Sequence, residues 1–113
     1  MIKNYSKGIV LVEKEEICNS DFAKARGLMF SRKTDKALIF PFRKSKRISL
    51  HMFFVFFSID VLFLDEKKIV VELKNCFKPF TFYFSKRKVK YVVELPVNTI
   101  KRTKTIVGDK IGF

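Results

Sequence analysis

The alternating apolar segment at residues 48–57 is the feature that most constrains the fold. Successive side chains of a strand point to opposite sides, so Ile48, Leu50 and Met52 share one face while His51 lies on the other. Beyond Met52 both faces become apolar. A strand of this kind needs cover on two sides, so we predict that residues 48–57 form a central strand under a second sheet or a helix.

Other short apolar segments, separated by polar turns, predict seven or eight strands in all. The expected strands are 8–13, 37–42, 48–57, 61–65, 69–74, 80–84, 89–95 and 108–113. A helical spacing of apolar residues behind Ser20 predicts one helix over residues 20–30, and residues 98–104 are expected to be irregular or to form one helical turn. The fold class is therefore mainly β, an antiparallel sandwich or partly closed barrel with one short packed helix.

The 113 residues are enough for one domain, 1–113, and 48% of them are hydrophobic. The first residues do not resemble a secretory signal, and the longest apolar run is too short to span a bilayer, so we expect a cytoplasmic protein. Cys18 and Cys76 lack the spacing of a zinc site and are expected to be reduced thiols, although a single disulfide between them stays open.

Several segments occur in an order that resembles the prokaryotic family called domain of unknown function 192. They are Arg26-Gly27-Leu28-Met29-Phe30, Ala37-Leu38-Ile39-Phe40, residues 51–65, Glu94-Leu95-Pro96 and Gly108-Asp109. The sequence departs from the family pattern at Lys36 and Asn98, where Gly is common, and at Ser58, where Pro is common. The resemblance implies a compact β-rich fold with a helix against the sheets, and it implies no established reaction, cofactor or partner.

Three charged residues within apolar surroundings form the first candidate site. Asp60 lies between Ile59 and Val61 after an apolar strand, and such a carboxylate needs a partner. We predict that Arg26 pairs with Asp60 or Glu94 and holds the helix to the sheet. The alternative is that these residues line a ligand pocket.

His51 is the only histidine, and it could act as a general base only beside an orienting acid and a nucleophile. We therefore expect a strand histidine without a catalytic role, and we keep a hydrolase-like site around His51, Asp60 and Glu94 as an alternative. No metal-binding motif, glycine-rich phosphate loop or nucleophile elbow is found in the sequence, and no cofactor is predicted.

Positive charge is the other candidate functional feature, since the net charge of +13 attracts polyanions at low salt. The predicted turns at residues 43–47 and 86–90 could converge into a phosphate-binding face with Lys101, Arg102 and Lys104, and Phe80, Tyr83 and Phe84 could add stacking. The polyanion-binding candidates are Arg43, Lys44, Lys46, Arg47, Lys86, Arg87 and Lys88. The alternative is that the charged turns only keep a Phe-rich domain soluble. We favour this alternative, because the alternating aromatic residues are typical of a core.

These observations favour a non-enzymatic module that binds a small ligand or a protein partner. A sequence-independent polyanion or nucleic-acid binder and the hydrolase-like enzyme are the alternatives. A pocket lined by Arg26, Asp60 and Glu94 would support the first hypothesis, and one contiguous basic face with exposed aromatic rings would support the second.

Overall fold

The computed structural model describes residues 1–18, 36–51, 57–78 and 81–113, with the backbone alone at 49–51. It contains ten strands and one helix within those ranges. The strands are β1 (Ile2–Asn4), β2 (Ile9–Val12), β3 (Glu15–Ile17), β4 (Ala37–Lys46), β5 (Ser49–His51), β6 (Ile59–Leu64), β7 (Val70–Phe77), β8 (Phe82–Phe84), β9 (Val89–Pro96) and β10 (Ile111–Gly112), and the helix is α1 (Thr99–Thr103).

A five-stranded sheet in the order β3-β4-β9-β6-β7 forms the centre of the fold. A three-stranded sheet, β10-β1-β2, packs against one face, and a two-stranded sheet of β5 and β8 contributes to the cover of the other face. All strand pairs are antiparallel except β3 with β4, which run parallel. Nothing in the described strands closes the central sheet into a barrel, so the sandwich prediction is confirmed.

The central sheet separates two hydrophobic cores. The first core packs the sheet against the three-stranded sheet and α1, and its largest members include Ile2, Ile39, Leu62, Leu64, Leu95 and Ile111. The second core lies on the opposite face and contains Cys18, Phe40, Ile48, Ile59, Val61, Phe63, Phe77, Val89 and Val92. Every residue of β6 is buried because β6 pairs on both edges and faces a core on both sides.

One predicted strand and one predicted turn differ in the structure. Within segment 48–57 the described strand is the short β5, which pairs with β8 outside the central sheet, so β9 and β6 occupy the central positions instead. Residues 52–56 lie outside the described ranges. The predicted turn at 43–47 is also wrong, since β4 continues to Lys46 and pairs with β9.

The amino-terminal β1 and the short β3 were not predicted, whereas the helical turn near residues 98–104 is confirmed as α1. Asn98 precedes α1 with a φ of 73°, a left-handed conformation that asparagine tolerates well. The predicted helix at 20–30 lies outside the described residues. At five residues α1 is much too short to cross a bilayer, and the described ranges hold no other helix that could.

Candidate functional site

Asp60 and Glu94 lie on opposite faces of the central sheet. In the pairing of β6 with β9, Asp60 is opposite Leu95 and Val61 is opposite Glu94, so the two carboxylates alternate between faces. Asp60 shares its face with Leu62 of the first core, and Glu94 shares its face with the second core. Asp60 and Glu94 therefore do not meet in one network or pocket, and the same geometry excludes a hydrolase-like site that needs both.

Two backbone amides of the described residues bind the Asp60 carboxylate. Its Oδ1 accepts a hydrogen bond from the Cys76 N–H at 3.0 Å, and its Oδ2 accepts one from the Ile100 N–H at 2.9 Å. Asp60 is only 1% exposed. The carboxylate thus connects β6 to β7 and to the first turn of α1, which is a structural role.

Glu94 is the one described residue with buried side-chain oxygens that accept no hydrogen bond. The side chain is 4% exposed, and this burial raises the pKa of the Glu94 carboxyl well above its ordinary value of 4.5. Buried charge without a partner is costly, so the neutral, protonated form is favoured in the folded protein. Glu94 holds a proton under conditions in which an exposed glutamate has lost it.

Glu94→Gln is expected to stabilise the protein at neutral pH, because glutamine has the size of the protonated side chain and no charge. The raised pKa in the folded state means that wild-type stability falls as pH rises above about 4.5, the value in the unfolded chain. We expect the variant to be more stable by about 1 to 3 kcal/mol at pH 7, and by less at pH 4.5, in urea unfolding. A variant less stable than wild type at pH 7 would contradict this and place a cation from outside the described residues against Glu94.

The structure describes the remaining predicted residues only in part. Arg26 lies outside the described residues. His51 belongs to β5, where its backbone pairs with that of Phe82. Within the described ranges, no three His, Cys, Asp or Glu side chains are close enough to hold a metal ion. Cys18 is buried in the second core, whereas Cys76 is exposed with a free thiol.

The two predicted basic segments, in contrast, meet in the structure. Lys46 of β4 pairs with Val89 of β9, and the Lys90 ammonium donates a 2.5 Å hydrogen bond to the Arg43 carbonyl. Ile48 and Ser85 then join the two segments. The Ile48 N–H donates to the Ser85 hydroxyl and the Ser85 N–H donates to the Ile48 carbonyl, each at 2.8 Å. These contacts place the cations of both segments side by side.

We call this surface the basic edge and define it by eight residues. They are Arg43, Lys44, Lys46, Arg47, Lys86, Arg87, Lys88 and Lys90, of which all but Lys90 are exposed. The ion pairs between described residues join the Met1 amino group with Glu15, Lys7 with Asp109, and Lys36 with Glu16. None of these pairs includes a cation of the basic edge.

The cations of α1 and the following residue do not join the basic edge. Strand β9 begins at Val89, beside the basic edge, and ends at Pro96, just before α1. Its eight residues separate the two ends by about 23 Å at 3.3 Å per residue. The expectation that Lys101, Arg102 and Lys104 would share one face with the two basic segments is therefore wrong.

Glu72 fixes the turn that carries Lys86 and Arg87. Its Oε1 accepts hydrogen bonds from the backbone N–H groups of Lys86 at 2.9 Å and Arg87 at 3.1 Å, while its Oε2 accepts one from the Tyr83 hydroxyl. Burial, together with the hydrogen bond and the charge of Glu72, raises the pKa of Tyr83 to about 12. The backbone of the basic turn is therefore held in place while its side chains reach solvent.

Two phenylalanine rings lie exposed beside the basic edge. Phe82 is 55% exposed and Phe84 is 60% exposed, whereas Tyr83 between them packs against the second core. The expectation that these alternating aromatic residues would be core is wrong for Phe82 and Phe84. Phe80 lies outside the described residues.

A separate groove of about 490 Å³ lies at the other end of the molecule. Residues 11–14 form one wall and residues 96–99 the other, and Arg102 also lines the groove. The Arg102 guanidinium donates a 2.7 Å hydrogen bond to the Leu11 carbonyl, which joins the two walls. Neither Asp60 nor Glu94 lines this groove.

Known proteins share both the order of the sequence segments quoted above and the sandwich fold. A model of the DUF192 family, described as an uncharacterized ACR, matches residues 3–113. The chain belongs to the DUF192 family. The resemblance predicted from residues 26–30, 37–40, 51–65, 94–96 and 108–109 is thus confirmed.

Relatives of the family occur in thermophilic archaea and are called UPF0127 proteins. The Thermococcus sibiricus protein is 39% identical over all of this chain and 74% of its own length, and the Pyrococcus abyssi protein is 40% identical over all of this chain and 97% of its own length. These relatives carry no assigned function, so activity has to be argued from the site.

Two solved structures share the fold. A Sinorhizobium meliloti 1021 protein, provisionally described as a transcription regulator, superposes with a TM-score of 0.81 at 24% identity, covering 87% of this chain and 79% of that one. A protein of unknown function from Novosphingobium aromaticivorans DSM 12444 gives 0.79 at 20% identity, covering 88% and 74%. At these identities the likeness shows the fold alone.

Proposed function

We propose that this protein binds nucleic acid through its phosphate backbone, without sequence preference, at the basic edge. The observation that carries the proposal is the convergence of residues 43–47 and 86–90, which are far apart in sequence, on one surface. Clustered lysine and arginine side chains are the electrostatic signature of nucleic-acid binding. Phosphate contacts position a protein on nucleic acid but read no bases.

A purely protective role accounts less well for this arrangement. One or two lysines are enough to discourage pairing at an exposed strand edge, and β4 does extend beyond its partner β3. Like charges held side by side repel one another, so a cluster of eight opposes folding unless an anion offsets it. The favoured anion is one with many regularly spaced charges.

Binding of a small ligand or a protein partner is the weaker hypothesis. The pocket expected from Arg26, Asp60 and Glu94 has no support, because the two acids face opposite sides of the sheet. The groove at Arg102 offers space, but the hydroxyl of its buried Thr99 already donates a hydrogen bond to the Pro96 carbonyl. We also propose that residues 1–113 act as one domain in the cytoplasm, which the free, exposed thiol of Cys76 supports.

The test is a titration of labelled duplex and single-stranded oligonucleotides of unrelated sequence over a series of salt concentrations. We expect the logarithm of affinity to fall with the logarithm of salt, at a slope of about 0.9 per phosphate contacted on duplex DNA. Changing four cations of the basic edge to serine is expected to reduce both the slope and, by at least about tenfold at 100 mM salt, the affinity. The four residues are Arg43, Lys44, Lys46 and Arg47.

A second variant with the same loss of charge serves as the control. It changes four exposed lysines outside the basic edge to serine, namely Lys14, Lys101, Lys104 and Lys110. This control variant is expected to bind within about threefold of the wild type at 100 mM salt, since long-range charge is screened beyond about 10 Å. Equal losses in both variants, strong discrimination among sequences, or no binding at low salt would each contradict the proposal.

A further inference from the structure

We infer that the ligand is single-stranded and that Phe82 and Phe84 stack against its unpaired bases. This inference rests on the proposed function, because the basic edge supplies the contacts to the phosphates. It adds a second recognition element that phosphate contacts alone do not provide. Base stacking on aromatic rings is worth most for strands whose bases are unpaired, and it tolerates any sequence.

The two rings form a small aromatic corner. Their centroids are 5.3 Å apart and their planes are inclined by 74°, so a base stacked on one ring meets the edge of the other. Both side chains are more than half exposed. Large aromatic side chains carry a high cost in water, and two of them exposed together on one short strand indicate a binding surface.

The aromatic corner lies within one nucleotide of the basic edge. Phe84 and Lys86 are two residues apart, about 7 Å in an extended chain. On the neighbouring strand, Ser49 pairs with Phe84, and Arg47 precedes Ser49 by two residues. A base on Phe84 would therefore have its phosphate within reach of cations on both sides.

The sandwich also holds the aromatic corner rigid. Tyr83 points the other way, with its ring 5.6 Å from that of Phe63 and its hydroxyl bonded to Glu72. This anchoring fixes β8, so Phe82 and Phe84 remain on the outer side. A preorganised stacking surface loses little conformational entropy when a base binds.

A duplex fits this surface poorly. Its bases are stacked inside the helix, and exposing one costs a few kcal/mol of unstacking. Single strands present their bases freely, and small sheets with exposed aromatic side chains bind them in other domains. Duplex binding is therefore expected to depend on the cations alone.

The experiment compares wild type with the double variant Phe82→Ala/Phe84→Ala on three probes. The probes are a mixed-sequence single-stranded 15-mer, the same 15-mer with abasic spacers in place of its bases, and a heparin fragment. We expect the double variant to lose roughly tenfold to 100-fold in affinity for the single strand. Its affinity for the abasic strand and for heparin should stay within about twofold, because neither contains bases.

The control variant is Ile106→Ala/Val107→Ala, which removes two other exposed apolar side chains, 55% and 56% exposed, away from the basic edge. It should bind every probe as wild type does. Binding of all three probes by wild type with no effect of the Phe variant would overturn the stacking inference and leave phosphate binding intact. No binding of any probe at low salt would overturn both.

An anionic membrane is a rival partner, because it too would attract a surface that combines exposed apolar rings with positive charge. Vesicles of phosphatidylcholine and phosphatidylserine test it, since rings of this kind also enter anionic membrane surfaces. We expect weak vesicle binding that the double Phe variant does not change. Vesicle binding that is tighter than single-strand binding and lost in the double variant would overturn the inference.

Discussion

Asp60→Ala is expected to lower the free energy of unfolding by about 3 to 5 kcal/mol, because it removes a buried carboxylate that accepts hydrogen bonds from one buried and one partly buried backbone N–H. One belongs to Cys76, which has a φ of +49° where β7 bulges. Ile59 pairs with Phe77 and Val61 with Lys74, so an extra residue of β7 lies opposite Asp60. The other N–H belongs to Ile100 in α1, so both the bulge and the helix lose their tie to β6. Urea unfolding followed by circular dichroism measures the loss.

Asp65→Ala provides a matched control for the burial of Asp60. The Asp65 carboxylate also accepts two backbone hydrogen bonds, from Lys67 at 2.9 Å and Ile69 at 3.0 Å, but it lies in a turn that water reaches. Because water can replace the lost acceptor there, we expect a loss of about 1 kcal/mol or less. Similar losses at the two positions, or a loss under about 1 kcal/mol for Asp60→Ala, would show that the Cys76 and Ile100 amides find other partners.

Local patterns predicted the hairpin of β6 and β7 and the single turn of α1. A hairpin is signalled by two apolar runs around a short polar connection, which here is residues 66–68. The helical turn follows Pro96 and a residue that tolerates a left-handed backbone, Asn98. Both signals lie within a few residues of the elements that they predict, so the local sequence was sufficient to predict the hairpin and the helical turn.

The strands that sequence reasoning missed depend on distant partners. Strand β1 is polar at two of its three positions, and it becomes a strand because β2 and β10 pair with it on both sides. The basic end of β4 has the composition of a turn, yet its Lys46 pairs with Val89 of β9, 43 residues later. Local composition carries no information about such pairing, since it reports only on neighbouring positions.

The same limit explains the outcomes at the candidate sites. Whether Asp60 and Glu94 share a face depends on the register of β6 with β9, and a shift by one residue would reverse it. Sequence correctly identified Asp60 as a carboxylate in need of a partner, but its partners are backbone amides that no side-chain motif marks. Phe82 and Phe84 alternate as core residues do, and alternation alone does not say which face is covered.

Phe63→Ala is expected to cost about 3 to 5 kcal/mol of stability, the usual range for removing a large buried aromatic side chain. Phe63 is completely buried in β6, opposite Val92 of β9 and Glu72 of β7, and its ring faces that of Tyr83. Alanine would leave a cavity in the second core and remove the packing surface that supports β8. Since β8 carries the aromatic corner, the variant should also weaken single-strand binding under conditions in which it is still folded.

Phe84→Ala separates the loss of stability from the loss of single-strand binding, because the ring it removes is 60% exposed and contributes little to the core. We expect its free energy of unfolding to stay within about 0.5 kcal/mol of wild type. Phe63→Leu, which refills most of the volume, should recover much of the stability lost in Phe63→Ala. If Phe63→Ala cost less than about 1 kcal/mol, the second core would not be a packed layer, and the support it gives to Tyr83 and the exposed rings would have to come from elsewhere. A large loss of stability for Phe63→Ala together with a small one for Phe84→Ala would show that the two side chains have different roles. Phe63 would stabilise the fold from the second core, and Phe84 would be available to a ligand on the outer face of β8.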